Sequence, residues 1–75
     1  MTNKYLKKIT AKDDEGSYEF HVDIYDVLQA WQVTNPAIQH AIKKLLQPGQ
    51  RGHKTRAEDL QEALVSIERA IELEK

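Results

Sequence analysis

Apolar and polar positions alternate most regularly over Ser17–Val22, where Tyr18, Phe20 and Val22 are separated by Glu19 and His21. A period of two marks a strand with one face covered. Tyr5–Thr10 reads as its partner strand. Asp13-Asp14-Glu15-Gly16 reads as the turn between them, with Gly16 free to adopt positive φ. A lone hairpin is marginal in water, so packing on the helices that follow is expected.

After Val22 the period becomes helical. Asp23 can cap a first helix, with Asp26 in capping-box position, and Ile24, Val27, Leu28 and Trp31 form one apolar stripe. Thr34-Asn35-Pro36 ends that helix and starts the next, because Asn35 suits an N-cap and Pro36 a first helical position. The second helix runs to about Gln47, where Pro48-Gly49 stops it. Its expected buried face is Ala37, Ile38, Ala41, Ile42, Leu45 and Leu46, with His40, Lys43, Lys44 and Gln47 opposite. A Thr-x-x-Glu box at Thr55 and Glu58 opens the third helix. Leu60, Leu64, Ile67 and Ile71 follow at spacings of four, three and four, a two-heptad seam that closes the core or meets another copy. The pattern predicts an α+β fold in a single domain, 1–75, with an N-terminal β-hairpin packed on three short helices. Trp31, Tyr18, Phe20 and Tyr25 are expected in the core, and Tyr5 near the surface.

Size changes the picture. The chain has 75 residues and no cysteine, so neither a disulfide nor a thiolate metal site can staple a small core. His21, His40 and His53 are too scattered for a zinc cluster, and no cofactor is implied. Self-association is the staple that remains, and a homo-oligomer is expected. No apolar run approaches the roughly 20 residues that span a bilayer, and Met1-Thr2-Asn3-Lys4 lacks a signal-like apolar stretch. A cytoplasmic protein without a membrane partner is expected.

Net charge is −1, but the charges come in blocks. Residues 1–12 carry four lysines and no acid, and residues 13–35 carry six acids and no Lys or Arg. Residues 36–56 carry Lys43, Lys44, Arg51, Lys54 and Arg56 with no acid, and residues 57–75 carry six acids against Arg69 and Lys75. Such blocks create local potentials that the total conceals. The basic block either serves an anionic ligand or pairs with the acidic helix after it.

Gly49-Gln50-Arg51-Gly52-His53-Lys54-Thr55-Arg56 is the segment with most chemistry. Gly49 and Gly52 let backbone N–H groups approach an anion, and Arg51 offers a planar fork for phosphate. Lys54 and Arg56 add charge beside a helix N-terminus, where cations oppose the macrodipole unless an anion is present. His53 in the loop, with His40, Lys43 and Lys44 on the second helix, would extend the site. The competing reading is a solvated loop whose arginine meets Glu58 or Asp59. Catalysis has little basis: Ser17 and Ser66 have no partnered histidine in view, and there is no P-loop or dinucleotide fingerprint.

Trp31 to Ile42 resembles the helix-turn-helix of Cro-type phage repressors, with Gln32 where that turn has glycine and Leu28 where the first helix has a small residue. The resemblance implies that Asn35, Gln39, His40 and Lys43 would face the major groove of a nucleic-acid partner. Gly49-Gln-Arg-Gly52 is similar to the GXXG loop of KH domains, although the single N-terminal hairpin departs from the KH sheet. Over nearly its whole length, through Val22–Leu28, Val33–Ala37, Gln39–Leu46, Gly49–Lys54 and Glu58–Ala63, the chain resembles small accessory proteins of tailed bacteriophages. That resemblance implies a binding protein of the infected bacterial host's cytoplasm: one acting on host enzymes, on nucleic acid, or on nucleotide signals of bacterial immunity. A phosphate-bearing nucleotide, held and sequestered without chemistry, is the ligand best matched to the loop.

Overall fold

The computed structural model describes residues 5–50 and 53–75 and has an α+β fold, an antiparallel hairpin followed by three helices. The chain divides into two compact units, Met1–Gln32 and Val33–Lys75.

In the first unit β1 (Lys7–Asp13) pairs with β2 (Gly16–Val22), with Ile9 opposite Phe20 and Ala11 opposite Tyr18. The alternation puts Ile9, Ala11, Tyr18, Phe20 and Val22 on one face and Lys8, Thr10, Glu19 and His21 on the other. β1 begins and ends later than apolar alternation suggested, because pairing continues through the polar Lys12 and Asp13. At the turn Glu15 N–H donates to Asp13 Oδ1 at 2.8 Å, and Gly16 takes φ 143°. Helix α1 (Ile24–Ala30) starts at the expected capping box: Asp26 N–H donates to Asp23 Oδ1 and Asp23 N–H to Asp26 Oδ2, each at 2.9 Å. Ile24 and Leu28, one turn apart, are its buried residues.

The aromatic residues correct the expectation that they form the core. Trp31 is 76% exposed, and Tyr18, Phe20 and Tyr25 are exposed too. Trp31 is the C-cap of α1, which ends at Ala30, and its N–H still donates to Val27 O at 3.0 Å. Tyr5 is half-buried and meets the Tyr25 ring edge-on, centroids 5.9 Å apart.

In the second unit α2 (Pro36–Leu46) and α3 (Arg56–Leu73) form a helical hairpin. They run antiparallel: Asn35 at the start of α2 donates to Ala70 O and Glu74 Oε2 near the end of α3, while Lys44 reaches Asp59 and Glu62 near its beginning. What lies buried between them differs from the expected apolar face. Ala41 and Lys44 are the buried residues of α2, and Asp59, Ala63 and Ala70 those of α3. Ile38, Leu45 and Leu46 are exposed, as are Leu60, Leu64, Ile67 and Ile71. Three of these five buried residues are alanines, and the bulky apolar side chains are left more exposed. Among the described residues, no helix is long and apolar enough to cross a membrane.

Candidate functional site

The α2–α3 connection is shaped by one buried carboxylate. Past the C-cap Gln47, the chain turns at Gly49, whose φ of 75° is left-handed backbone that glycine adopts without strain. Gly49 N–H donates to Asp59 Oδ2 at 2.6 Å, and Gln50 N–H donates to Gln47 O at 3.2 Å. A side chain at Gly49 would collide with Arg56, since an ideal Cβ falls 2.8 Å from Arg56 Cγ. The amide that the loop could have offered to an anion is therefore occupied by the protein's own carboxylate.

Two of the lysines are also engaged. Lys44 is only 4% exposed; its Nζ donates to Glu62 Oε1 at 2.7 Å and stands 3.6 Å from Asp59 Oδ1, an ion pair longer than a hydrogen bond. Asp59 is fully buried. A buried charge is tolerated only when paired, and here one lysine faces two acids of α3. Lys54 donates to the other Glu62 oxygen, so Glu62 bridges the end of α2 and the loop. These bonds from Lys44 and Lys54 hold the Glu62 carboxyl down to about 2. The same bond to Glu62 raises the Lys54 ammonium above its ordinary value. For Lys44 and Lys54 the basic block thus pairs with the acidic helix after it.

The N-terminus of α3 is closed by its capping box. Glu58 N–H donates to Thr55 Oγ1 at 3.1 Å, and Thr55 N–H donates to Glu58 Oε1 at 3.0 Å. The Thr55 N–H, with help from its hydroxyl, lowers the Glu58 carboxyl below its ordinary value. Arg56, the first residue of the helix, is exposed and makes no ion pair among the described residues. His53 and His40 are exposed, and Lys43 is half-buried. Arg51 and Gly52 lie outside the described residues.

Two of the four positions proposed to read bases serve the fold. Asn35 is 9% exposed; its Oδ1 accepts from Ala37 N–H at 2.9 Å and Ile38 N–H at 3.3 Å, while its Nδ2 makes the two bonds to α3. All four hydrogen-bonding positions of the amide are filled. Gln39 Nε2 donates to Val33 O at 2.7 Å. Gln32 adopts φ 56°, a left-handed backbone.

Asp59 and Glu62 organise this region and were missed as its organisers. Their signal lay in two acids three residues apart, on the side of α3 that also carries Ala63, Ser66 and Ala70, directly after a block of bases that contains no acid of its own. Among the described residues no group of three or more His, Cys, Asp or Glu is placed to hold a metal ion. No family model matches the chain, and neither a curated protein nor a solved structure matches it.

Proposed function

We propose that the α2–α3 connection binds a phosphate-bearing ligand, a nucleotide above other anions, and holds it without chemical change. In this reading Lys44, Lys54, Asp59, Glu62 and the Gly49 amide build the loop rather than touch the ligand. Arg51, Gly52, His53 and Arg56 meet the phosphate, and His40 and Lys43 flank it. The observation that carries the proposal is Arg56: an exposed guanidinium at the first position of an 18-residue helix, opposed by the helix dipole and without an acidic partner among the described residues. An anion seated there removes that penalty and gains a bidentate partner. With the resemblance to phage accessory proteins, the proposed role is sequestration of a nucleotide signal of the bacterial host. Duplex reading is the weaker alternative, because the Asn35 and Gln39 side chains are committed to the second unit's own backbone and to Glu74.

The test is thermal unfolding with ATP, a cyclic dinucleotide and inorganic phosphate, each titrated at moderate salt. Binding stabilises the fold by mass action, by about 2.7 kcal/mol at a hundredfold excess over Kd, and so raises the melting temperature. Arg51→Ala and Arg56→Ala should each remove the shift. If none of the three ligands moves the transition, or if both variants respond like the parent, the proposal is wrong.

A further inference from the structure

We propose that the chain self-associates through one apolar face of its second unit, two copies of the α2–α3 hairpin meeting antiparallel as a four-helix bundle. This is independent of the phosphate reading, since none of the residues involved belongs to the 49–56 loop.

The first argument is what the second unit lacks. Its buried apolar residues, among those described, are Ala41, Ala63 and Ala70. Helices of this length owe most of their stability to tertiary packing of an apolar face, and three alanines supply little of it. The bulky residues stand beside that stripe. In α3 the seam Leu60, Leu64, Ile67 and Ile71 lies about 100° round the helix from the residues that meet α2. All four are between 42% and 55% exposed. In α2, Ile38, Ile42 and Leu45 are displaced from Ala41 and Lys44 by a similar angle. Because the helices are antiparallel, both displacements fall on the same side. There Ile38, Ile42, Leu45, Ile67 and Ile71 line an open groove of about 550 Å³.

The second argument identifies the occupant. An apolar groove between two helices accepts a ridge of bulky side chains from a third. This chain carries such a ridge, because Leu60 and Leu64 continue the seam beyond the groove. The four-three-four spacing reads the same in both directions. A two-fold axis between Leu64 and Ile67 therefore brings Leu60 of one copy to Ile71 of the other, and Leu64 to Ile67. That is the self-complementarity an isologous interface requires. No charged residue occurs in the seam itself, and Glu74 and Lys75 also line the groove.

Area agrees. The exposed parts of Ile38, Leu45, Leu60, Leu64, Ile67 and Ile71 amount to roughly 300 Å² of apolar side chain per copy, within the size range of the largest patch on an ordinary monomer, which is often functional. Two copies supply on the order of 600 Å², close to the apolar share of an interface of about 1,200 Å², the lower limit for stable association.

The experiment uses the full chain. Sedimentation velocity at micromolar concentration should give twice the 8.7 kDa chain mass. Ile67→Glu should weaken association at least about 100-fold, whereas Val65→Glu, on the opposite side of α3, should leave it unchanged. Should Ile67→Glu fail to fold, cysteine pairing still decides, since the chain has no cysteine of its own. An equimolar mixture of Leu60→Cys and Ile71→Cys chains should form the mixed disulfide on mild oxidation, in excess over either homodisulfide. A monomer at all concentrations overturns the proposal. So does a dimer that tolerates a folded Ile67→Glu chain, or one in which the Leu60→Cys chain forms its homodisulfide in preference to the mixed one.

Discussion

Asp59 holds Gly49 in place: its Oδ2 accepts the Gly49 N–H at 2.6 Å from inside the helical hairpin, while its Oδ1 faces Lys44 Nζ at 3.6 Å. One buried side chain thus shapes the loop and answers a buried cation. Asp59→Ala should destabilise the fold by about 3 kcal/mol, because it strands Lys44 beside Glu62 alone and orphans an amide. Asp59→Asn should cost less, since its amide oxygen still accepts from Gly49. Gly49→Ala should cost about 1–2 kcal/mol for left-handed backbone. Its contact with the Arg56 backbone, 3.1 Å from the new Cβ to Arg56 N, adds to this. Urea unfolding of the three variants at neutral pH measures each difference.

Glu62 sets the acid limb of stability. Its carboxyl is held at about 2, below the ordinary 4.5, by the bonds from Lys44 and Lys54. A depressed carboxyl contributes stability that is fully present above the ordinary value, declines as pH falls towards about 2, and is absent below it. Glu62→Gln should therefore lower the urea midpoint at pH 6, and the gap from the parent should close between pH 4.5 and 2. Lys54 works in the other direction: with its ammonium raised, its contribution holds below its ordinary value and is lost only as pH rises through the higher one. Added salt should shrink the Lys54 part more than the Lys44 part, because Lys54 is half exposed and Lys44 is not.

The caps of all three helices were legible in the sequence and the core was not. Asp23 with Asp26, Asn35 with Pro36, and Thr55 with Glu58 act within one helical turn, so their spacing alone specifies the hydrogen bonds. The pairing of β2 was legible for the same reason, its alternation being local. Burial of Lys44 and Asp59 depends on partners fifteen positions apart, which no periodic pattern encodes. The seam stayed undecided for a related cause. Leu60, Leu64, Ile67 and Ile71 are spaced as a core should be, and hydrophobicity does not say which chain will cover them. The loop was legible as basic. Which of its charges were already spent on Glu62 became visible only in three dimensions.

Asn35 joins capping to tertiary structure. It receives the first amides of α2 and sends two bonds to the end of α3. Asn35→Ala should lose the cap, worth about 1 kcal/mol, together with the link to Ala70 and Glu74. Asn35→Ser restores the cap without the link. The gap between the alanine and serine variants thus measures the cap, and that between serine and asparagine the tie. Thermal unfolding followed by circular dichroism should rank them Asn, Ser, Ala. Equal Ser and Asn stabilities would mean that the bonds to α3 contribute nothing.

Gln32 offers the opposite case, a position where substitution should help. The chain leaves α1 through Trp31 and turns at Gln32, whose N–H donates to Gln29 O at 3.0 Å and whose φ is 56°. That bond is the one a left-handed C′ residue makes, and glycine is the residue that makes it without a Cβ clash. A glutamine there costs roughly 1–2 kcal/mol, of which the added freedom of glycine in the unfolded chain returns part. Gln32→Gly should therefore stabilise the protein by about 0.5–1 kcal/mol. Gln32→Asn should fall between them, and Gln32→Val should destabilise, because a branched side chain tolerates positive φ least. The melting temperatures of these three variants test the order. If glycine lowers the melting temperature, residue 32 does not hold left-handed backbone in solution, and the exit from α1 follows another path.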